Sequence, residues 1–251
     1  MRILYHNLID DYDPADYSSE RANLWATNVK IHHLIVPWRT QIPDAQYYIL
    51  DAGAGNTLTA TCAAIAGHNL TVGATIKVQA HPTNAWGAPD LDEAFTWGSG
   101  PMMAFFASTA KRFWRFYFDD AANPDTYIQI GRLGLGVALQ MPPIEPGAEL
   151  PVVSTSQPST SITGQVFGNR GQLLFAPAFS LPIVSEAERQ AILTMFAEVH
   201  NIQPLFLAVW EDSLTVQAPI YCRITNESLE FKKAPEAGVL WTLDLGFREV
   251  T

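Results

Sequence analysis

Residues 119–133 read Asp-Asp-Ala-Ala-Asn-Pro-Asp-Thr-Tyr-Ile-Gln-Ile-Gly-Arg-Leu and carry the strongest local structural signal in the chain. The Asn-Pro-Asp run at 123–125 favours a turn, because proline presets φ and the flanking side chains bond nearby backbone groups. Residues 127–133 then predict a strand, in which Gly131 is typical of a point where another strand passes close by. Residues 112–119 predict the preceding strand, and we expect the two strands to pair as a hairpin.

Short strand-like runs continue outward from this stretch through the first half of the chain. Residues 47–51, 58–66 and 74–80 are rich in β-branched or aromatic residues and are bounded by Gly, Asn, Asp or Pro. The run Phe-Trp-Arg-Phe-Tyr-Phe at 113–118 alternates poorly, which predicts a central strand with both faces largely covered. The chain is therefore expected to be mainly β.

One segment is predicted to be an α-helix, at about residues 186–200. Ser185 and Glu188 have the spacing of a capping box, and apolar residues follow at three- and four-residue intervals. Asn201 and Pro204 are typical of a helix end. Strand-like runs follow the helix, so the second half is predicted to be a β-sheet domain with one α-helix.

A proline-rich segment separates the two halves. Four prolines occur in the eleven residues from Met141 to Pro151, a density that a compact sheet cannot use because proline lacks an amide donor. The sequence therefore predicts two β-sandwich-like domains, at 1–140 and 161–251, joined by a Pro/Ser/Thr-rich linker or arm at 141–160.

Composition excludes several classes of function. Charged residues make up 16% of the chain, against roughly 25% in an average protein, and the net charge is −10. Clustered bases are missing, so nucleic acid is not an expected partner. Apolar runs are too short for membrane insertion, and Asp10 and Asp11 interrupt the N-terminus before an export signal could form. We expect synthesis in a reducing cytoplasm, with Cys62 and Cys222 as buried free thiols.

The sequence contains no convincing motif for a metal site or for catalysis. The acidic residues from Asp10 to Asp16 invite a calcium hypothesis, but the EF-hand glycine and glutamate are missing, and a solvated acidic loop is the alternative. The six histidines show no zinc-site spacing, and no GxSxG motif is present. Asp119, Asp120 and Asp125 fall at a strand end and in a turn, where acids bond backbone amides. No metal, cofactor or enzymatic activity is therefore predicted.

The connection from His81 to Pro101 is the candidate contact region. It places Trp86 and Trp97 in a loop rich in glycine and proline, together with Asn84. Tryptophan combines a large apolar face with one hydrogen-bond donor, so both indoles suit sugar stacking or protein contacts. The alternative, that both pack against their own sheet, stays open.

Several pieces of the first 140 residues, taken in order, resemble a galactose-binding-like (discoidin-type) jelly roll carried by virion proteins of tailed bacteriophages and prophages. The pieces are Trp38, Tyr-Ile-Leu-Asp-Ala-Gly at 48–53, Gly-His-Asn-Leu at 67–70 and the stretch 119–133, which is similar to the family's D-x-x-NPD-x-Y-I-x-IGR-L signature. The second half, from Gly164 through the capped helix, resembles the sheet-plus-helix domain of phage tail-tip and distal tail proteins.

This resemblance implies a structural virion protein of a phage tail tip or baseplate that supports host attachment. It would form a sixfold or threefold ring with itself and contact the tail tube, the hub and a receptor-binding protein. The alternative is a carbohydrate-binding module that recognises host surface glycan directly. That alternative predicts an exposed Trp86 or Trp97 beside hydrogen-bonding side chains such as Asn84.

Overall fold

The computed structural model describes residues 1–144, 150–183, 185–210, 218–233 and 240–250. Strands dominate these residues, which confirms the mainly β prediction. The helices are α1 (Leu8–Asp11) and α2 (Glu186–Val199), with a 3-10 turn at Ala26–Lys30. The strands are β1 (Arg2–Leu4), β2 (Pro14–Tyr17), β3 (Trp38–Arg39), β4 (Gln46–Asp51), β5 (Leu58–Ala66), β6 (Thr75–His81), β7 (Leu91–Ala94), β8 (Met102–Lys111), β9 (Phe113–Asp119), β10 (Gln129–Ile130), β11 (Arg132–Gly136), β12 (Leu139–Gln140), β13 (Val152–Ser154), β14 (Gln157–Thr160), β15 (Val166–Asn169), β16 (Leu173–Phe175), β17 (Ala178–Ile183), β18 (Leu205–Ala208), β19 (Ile220–Ile224), β20 (Lys232–Lys233) and β21 (Trp241–Glu249).

The chain divides into two compact units by its internal contacts. The first contains Met1–Met141 and Pro204–Tyr221, and the second contains Pro142–Gln203 and Cys222–Val250. Residues 205–208 belong to the first unit because β18 pairs with β1 in antiparallel register. The division into 1–140, 141–160 and 161–251 remains a prediction from sequence. The two contact-defined units differ from it in that each consists of separate segments of the chain.

The first unit is a β-sandwich, as predicted. One sheet has five antiparallel strands in the order β2-β4-β9-β6-β7, and another has three in the order β11-β5-β8. Side chains from both sheets form a single apolar core, because each strand turns alternate residues to the same side. Its largest members are fully buried aromatic side chains: Trp38, Tyr48, Trp114, Phe116 and Phe118.

Strand β9 lies at the centre of the five-stranded sheet, as its composition predicts. Both faces of β9 are largely covered, as predicted, but they are not covered equally. Trp114, Phe116 and Phe118 are buried, whereas Phe113, Arg115 and the other alternate residues remain partly exposed. Arginine, tyrosine and phenylalanine can bury most of their apolar surface against neighbours while one edge stays in water. The alternation of fully and partly buried residues along β9 therefore does not show in a hydrophobicity pattern.

The prediction of a hairpin within residues 112–133 is wrong. Strand β9 pairs with β4 and β6, while β10 pairs with β3 and β11 pairs with β5. Residues 120–128 therefore carry the chain from one sheet to the other. Gly131 does mark a close approach, since a Cβ at this position would lie 3.1 Å from Leu34 Cδ2 and 3.3 Å from Gly67 Cα.

Polar side chains hold this crossing in place. Asp120 is buried, and its carboxylate accepts hydrogen bonds from the Thr71 amide at 2.8 Å and from Thr71 Oγ1 at 2.6 Å. Asn123 is also buried and donates from Nδ2 to the Asn69 carbonyl at 3.0 Å. These acids and amides bond backbone groups, as the turn signals predict, but their partners lie about 50 residues away in the chain.

The second unit combines a sheet with the long helix. Strand β21 pairs with β17 and β20, and its residues 247–249 pair with residues 222–224. The capping box is confirmed: the Glu188 amide donates to Ser185 Oγ at 3.2 Å, and the Ser185 amide donates to Glu188 Oε2 at 3.0 Å. Ile192, Met195 and Val199 are the buried residues of α2.

The predicted arm forms two-stranded ladders where it is described. β13 pairs with β16, and β14 pairs with β15. Every residue of β14 and β15 is exposed. Residues 145–149 of the predicted linker lie outside the described residues.

Both cysteines are buried free thiols, which confirms that prediction. Burial raises the pKa of the Cys62 thiol to about 12 and raises the pKa of Cys222 well above its ordinary value. Within the part of the chain that the structure describes, we find no helix of the length and hydropathy needed to cross a membrane.

Candidate functional site

The face of the five-stranded sheet that points away from the core, which we call the outer face, carries polar and aromatic side chains. Cross-strand pairing places these side chains in rows, because directly paired residues point to the same side of a sheet. Three rows cross strands β4, β9 and β6: Asp51–Phe113–His81, Ile49–Arg115–Gln79 and Tyr47–Tyr117–Lys77. Asp92 of β7 extends the middle row beside Gln79.

Arg115 occupies the centre of the outer face. Its Nε and Nη2 donate to Gln79 Oε1 at 2.7 and 2.5 Å. Among the described residues it forms no salt bridge, so its nearest acceptor is a neutral amide. Burial lowers the pKa of Arg115, against the opposing influence of Tyr117, Asp92 and Tyr47. Guanidinium stays protonated in proteins, so a partly desolvated cation lies here with no direct anionic partner.

Trp86 packs over this cation. The Arg115 Cζ lies 4.6 Å from the Trp86 ring centroid and 5.2 Å from the Tyr117 centroid, within the range of cation–π attraction. The Trp86 indole donates from Nε1 to Asn84 Oδ1 at 2.7 Å. Trp86 is partly exposed and Asn84 is exposed. The structure thus brings these two predicted contact residues together, on the outer face.

Trp97, the third predicted contact residue, lies elsewhere. Its Nε1 donates to the Leu70 carbonyl at 3.0 Å, and the side chain is 37% exposed. Among the contacts of the described residues, none joins Trp97 to Trp86. The sequence alternative requires an exposed indole beside hydrogen-bonding side chains. Trp97 is the more exposed of the two, whereas Trp86 is the one whose described hydrogen bond goes to a side chain, that of Asn84.

Charged and hydroxyl groups flank the centre of the outer face. Asp92 accepts from Lys77 Nζ and from Gln79 Nε2, each at 2.9 Å. Burial acts to raise the pKa of Asp92, but these two hydrogen bonds, together with the charges of Lys77 and Arg115, outweigh it, and the carboxyl pKa is lowered. Burial also raises the pKa values of Tyr47 and Tyr117, assisted by nearby acids. Both phenols therefore remain hydrogen-bond donors at neutral pH.

The acidic residues of the calcium hypothesis are spread over separate partners. Asp10 Oδ2 pairs with Arg132 Nη2 at 2.5 Å, and Asp13 Oδ1 pairs with Lys30 Nζ at 2.7 Å. Across the described ranges, no group of three or more His, Cys, Asp or Glu side chains is arranged to hold a metal ion. The calcium hypothesis gains no support from this arrangement.

Sequence reasoning missed Arg115, Gln79 and Tyr117 as members of the site. The available signal was the two-residue spacing of Arg115 and Tyr117 within β9, which places both on the side opposite the buried Trp114 and Phe116. Gln79 could not be assigned in this way, because its role depends on the pairing of β6 with β9.

Comparisons with known proteins return structural neighbours only. No protein-family model matches the chain, and no curated protein sequence matches it. A mutant of chitosan-binding module 1 from a chitosanase/glucanase of Paenibacillus sp. IK-5 is similar over 52% of this chain and 98% of its own length, with 15% identity and a TM-score of 0.40.

Two further structural neighbours are complexes with sugars. The lectin domain of lectinolysin in complex with Lewis B antigen aligns over 52% of this chain and 95% of its own, with 14% identity and a TM-score of 0.41. The family 32 carbohydrate-binding module of NanJ from C. perfringens, in complex with galactose, aligns over 55% and 100%, with 11% identity and a TM-score of 0.41. Likeness at this level identifies neither a ligand nor an assembly, and these comparisons give no support to a phage tail role.

Proposed function

We propose that the first unit is a non-catalytic carbohydrate-binding module whose sugar site is the outer face around Arg115. One observation carries this proposal: Trp86 stacks on a partly buried arginine whose nearest acceptor is the neutral Gln79. The host-glycan alternative from the sequence thereby becomes the leading candidate function.

The chemistry of this cluster suits a sugar. One face of a pyranose ring presents C–H groups that pack on an indole, while its hydroxyls both donate and accept hydrogen bonds. Arg115 supplies guanidinium donors, and the Asp92 carboxylate supplies an acceptor. Asn84 orients the indole through its 2.7 Å bond to Trp86 Nε1. Binding sites that combine one rigid aromatic anchor with a few oriented polar groups are typical of small-ligand recognition.

Replacing Trp86 with alanine is expected to weaken glycan binding about tenfold or more, since a packed tryptophan anchor contributes roughly 2 kcal/mol. The experiment is a screen of the full chain on an array of neutral and acidic glycans, followed by calorimetric titration of the best neutral oligosaccharide. Trp25→Ala is the matched control, because Trp25 is 52% exposed and does not belong to the rows of the outer face. Its affinity should stay within about twofold of the unchanged protein.

Equal losses in Trp86→Ala and Trp25→Ala would exclude the outer face as the sugar site. Arg115→Lys provides a second reading, because lysine keeps the charge but cannot reproduce the two bonds of Arg115 to Gln79. We expect several-fold weaker binding with an unchanged melting temperature. Failure of the full chain to bind any arrayed glycan would rule out the proposal.

The second candidate function is the structural role in a phage tail tip or baseplate, with the protein located in the virion. The exposed ribbon β14–β15 favours it, since Val166 is 69% and Phe167 58% exposed, and apolar side chains on a two-stranded ribbon suit protein contacts. Electron microscopy of particles labelled on this protein tests the idea, and label absent from the tail would exclude it. Ring symmetry stays a prediction from the resemblance.

A further inference from the structure

Tyr127 is contacted by two arginines at once. The Cζ atoms of Arg21 and Arg39 lie 4.6 and 4.9 Å from the centroid of its ring. Cation–π pairs of significant energy occur about once per 70–80 residues, so two on a single ring form an unusual concentration of positive charge. The concentration is more notable in a chain whose net charge is −10.

Backbone pairing holds these three residues together. The Arg21 amide donates to the Arg39 carbonyl at 2.8 Å, and Arg39 is the cross-strand partner of Gln129. Tyr127 lies in the bend that leads into β10, two residues before Gln129. Asn69 fixes this segment by donating to the Tyr127 carbonyl at 3.0 Å and accepting from the Gln129 amide at 2.7 Å.

Neither guanidinium has an anionic partner among the described residues. The Nε of Arg21 donates to the Thr40 carbonyl at 3.1 Å, and the Nε of Arg39 donates to Gln129 Oε1 at 2.8 Å. Both acceptors are neutral, and none of the described residues accepts from the terminal nitrogens of either arginine. Arg112 behaves differently, because both its Nε and Nη2 bond the Asp51 carboxylate, at 2.6 and 2.7 Å.

The acids nearest in the chain are engaged with other partners. Glu20 Oε2 accepts from the Ala26 amide at 2.9 Å. Asp125 Oδ2 accepts from Asn69 Nδ2, also at 2.9 Å. The two arginines therefore keep their positive charge available to an external anion.

We propose that Arg21 and Arg39, supported by Tyr127, form a binding site for an oxyanion, the carboxylate or sulfate group of an acidic ligand. A guanidinium presents parallel N–H donors that match both oxyanions, and such charge-assisted pairs are about twice as strong as neutral hydrogen bonds. The stacked ring restricts both side chains before the ligand arrives, which lowers the entropy lost on binding. The site is separate from the outer face, so it stands whether or not Trp86 binds a neutral sugar.

The test is calorimetric titration of the full chain at low ionic strength with inorganic sulfate and with trigalacturonate, which separate the sulfate source from the carboxylate source. For whichever of the two anions the unchanged protein binds, Arg21→Gln and Arg39→Gln should each weaken the affinity about tenfold. This is the typical loss of a charge-assisted hydrogen bond. Arg170→Gln is the matched control, because it changes the net charge equally and replaces an exposed arginine of the second unit. It should change the affinity less than about twofold.

Two results would overturn the proposal: no binding of either anion by the unchanged protein, or an equal loss in Arg170→Gln. A measurement without substitution covers the case in which a variant fails to fold. In nitrogen-15 spectra of the unchanged protein, the Nε–H signals of Arg21 and Arg39 should shift together on titration. Shifts confined to other arginines would also overturn it. Trp86→Ala should leave anion binding intact, which distinguishes this site from the sugar site.

Discussion

Replacing Arg132 with methionine is expected to lower the free energy of unfolding by about 3–4 kcal/mol, the range observed when one partner of a buried ion pair is removed. The Arg132 side chain is only 2% exposed, and it bonds Asp10 Oδ2 at 2.5 Å and the Val29 carbonyl at 3.0 Å. Without it, the Asp10 carboxylate, whose side chain is 34% exposed, loses its arginine partner and keeps only the more distant His32, at 3.9 Å, among the described ion pairs. Urea denaturation followed by tryptophan fluorescence measures the change.

Arg112→Met is the matched control for this substitution. Arg112 also makes a close carboxylate pair, with Asp51, but its side chain is 34% exposed against 2% for Arg132, so water already reaches this guanidinium. Arg112→Met is therefore expected to lower the free energy of unfolding clearly less than Arg132→Met does. If the two variants lose the same stability, burial of the Arg132–Asp10 pair is not what makes Arg132 important.

The Arg132 effect should also depend on pH. Burial acts to raise the pKa of Asp10, but hydrogen bonds from His32 and Arg132 and their charges outweigh it, so the pKa is lowered. A group with a lowered folded-state pKa contributes stability above the ordinary carboxyl range, and this contribution disappears as the pH falls through the folded-state pKa. In Arg132→Met, two influences on the pKa of Asp10 remain: burial, which raises it, and the contact with His32, which lowers it.

The stability difference between the unchanged protein and Arg132→Met should therefore be largest at neutral pH and shrink in acid, once Asp10 is protonated in both. Denaturation series at neutral and acidic pH check this, with Arg112→Met measured in parallel. A difference that is constant with pH would show that the loss comes from packing of the side chain and not from the charge pair.

Replacing Asn69 with alanine is expected to cost about 2–3 kcal/mol, because two backbone groups would lose their partners at one position. Asn69 Nδ2 donates to the Tyr127 carbonyl at 3.0 Å and to Asp125 Oδ2 at 2.9 Å, and its Oδ1 accepts from the Gln129 amide at 2.7 Å. Thermal unfolding measures the loss. Hydrogen exchange at the Gln129 amide should accelerate, since that donor loses its acceptor.

Asn56→Ala is the control for this second substitution, because Asn56 is exposed in a turn after β4. Its stability should change by no more than about 0.5 kcal/mol. Unchanged protection of the Gln129 amide in Asn69→Ala would contradict the role assigned to Asn69. A folded Asn69→Ala protein should also bind the anion probe more weakly, because Tyr127 would no longer be held in place.

Features with a local cause are predictable from the sequence. The capping box joins Ser185 to Glu188 within one turn, so two residues suffice to place the start of α2. The turn at 123–125 and the strand spacing on either side of it depend in the same way on neighbours in the chain. Burial of the two thiols follows from the apolar runs in which they occur.

The hairpin prediction failed because long-range hydrogen bonds, and not neighbours in the chain, direct this segment. Adjacent strands commonly pair, but Asp120 and Asn123 bond Thr71 and Asn69, and these bonds direct residues 120–128 away from β9. A local pattern identifies residues able to accept such bonds. It cannot say which distant backbone will supply the donors.

The candidate sites also contain both kinds of residue: some lie close together in the sequence, and others are brought together only by strand pairing. Trp86 and Asn84 are visible in the sequence because they lie in one loop rich in glycine and proline. Arg115 meets Gln79, and Arg21 and Arg39 meet Tyr127, only through strands brought side by side from distant parts of the chain. By itself the sequence determined several strand segments, the long helix α2, the buried thiols and a low, acidic charge. The tertiary structure decided which of the described arginines have no carboxylate partner among the described residues, because lateral strand pairing selects the groups that face one another.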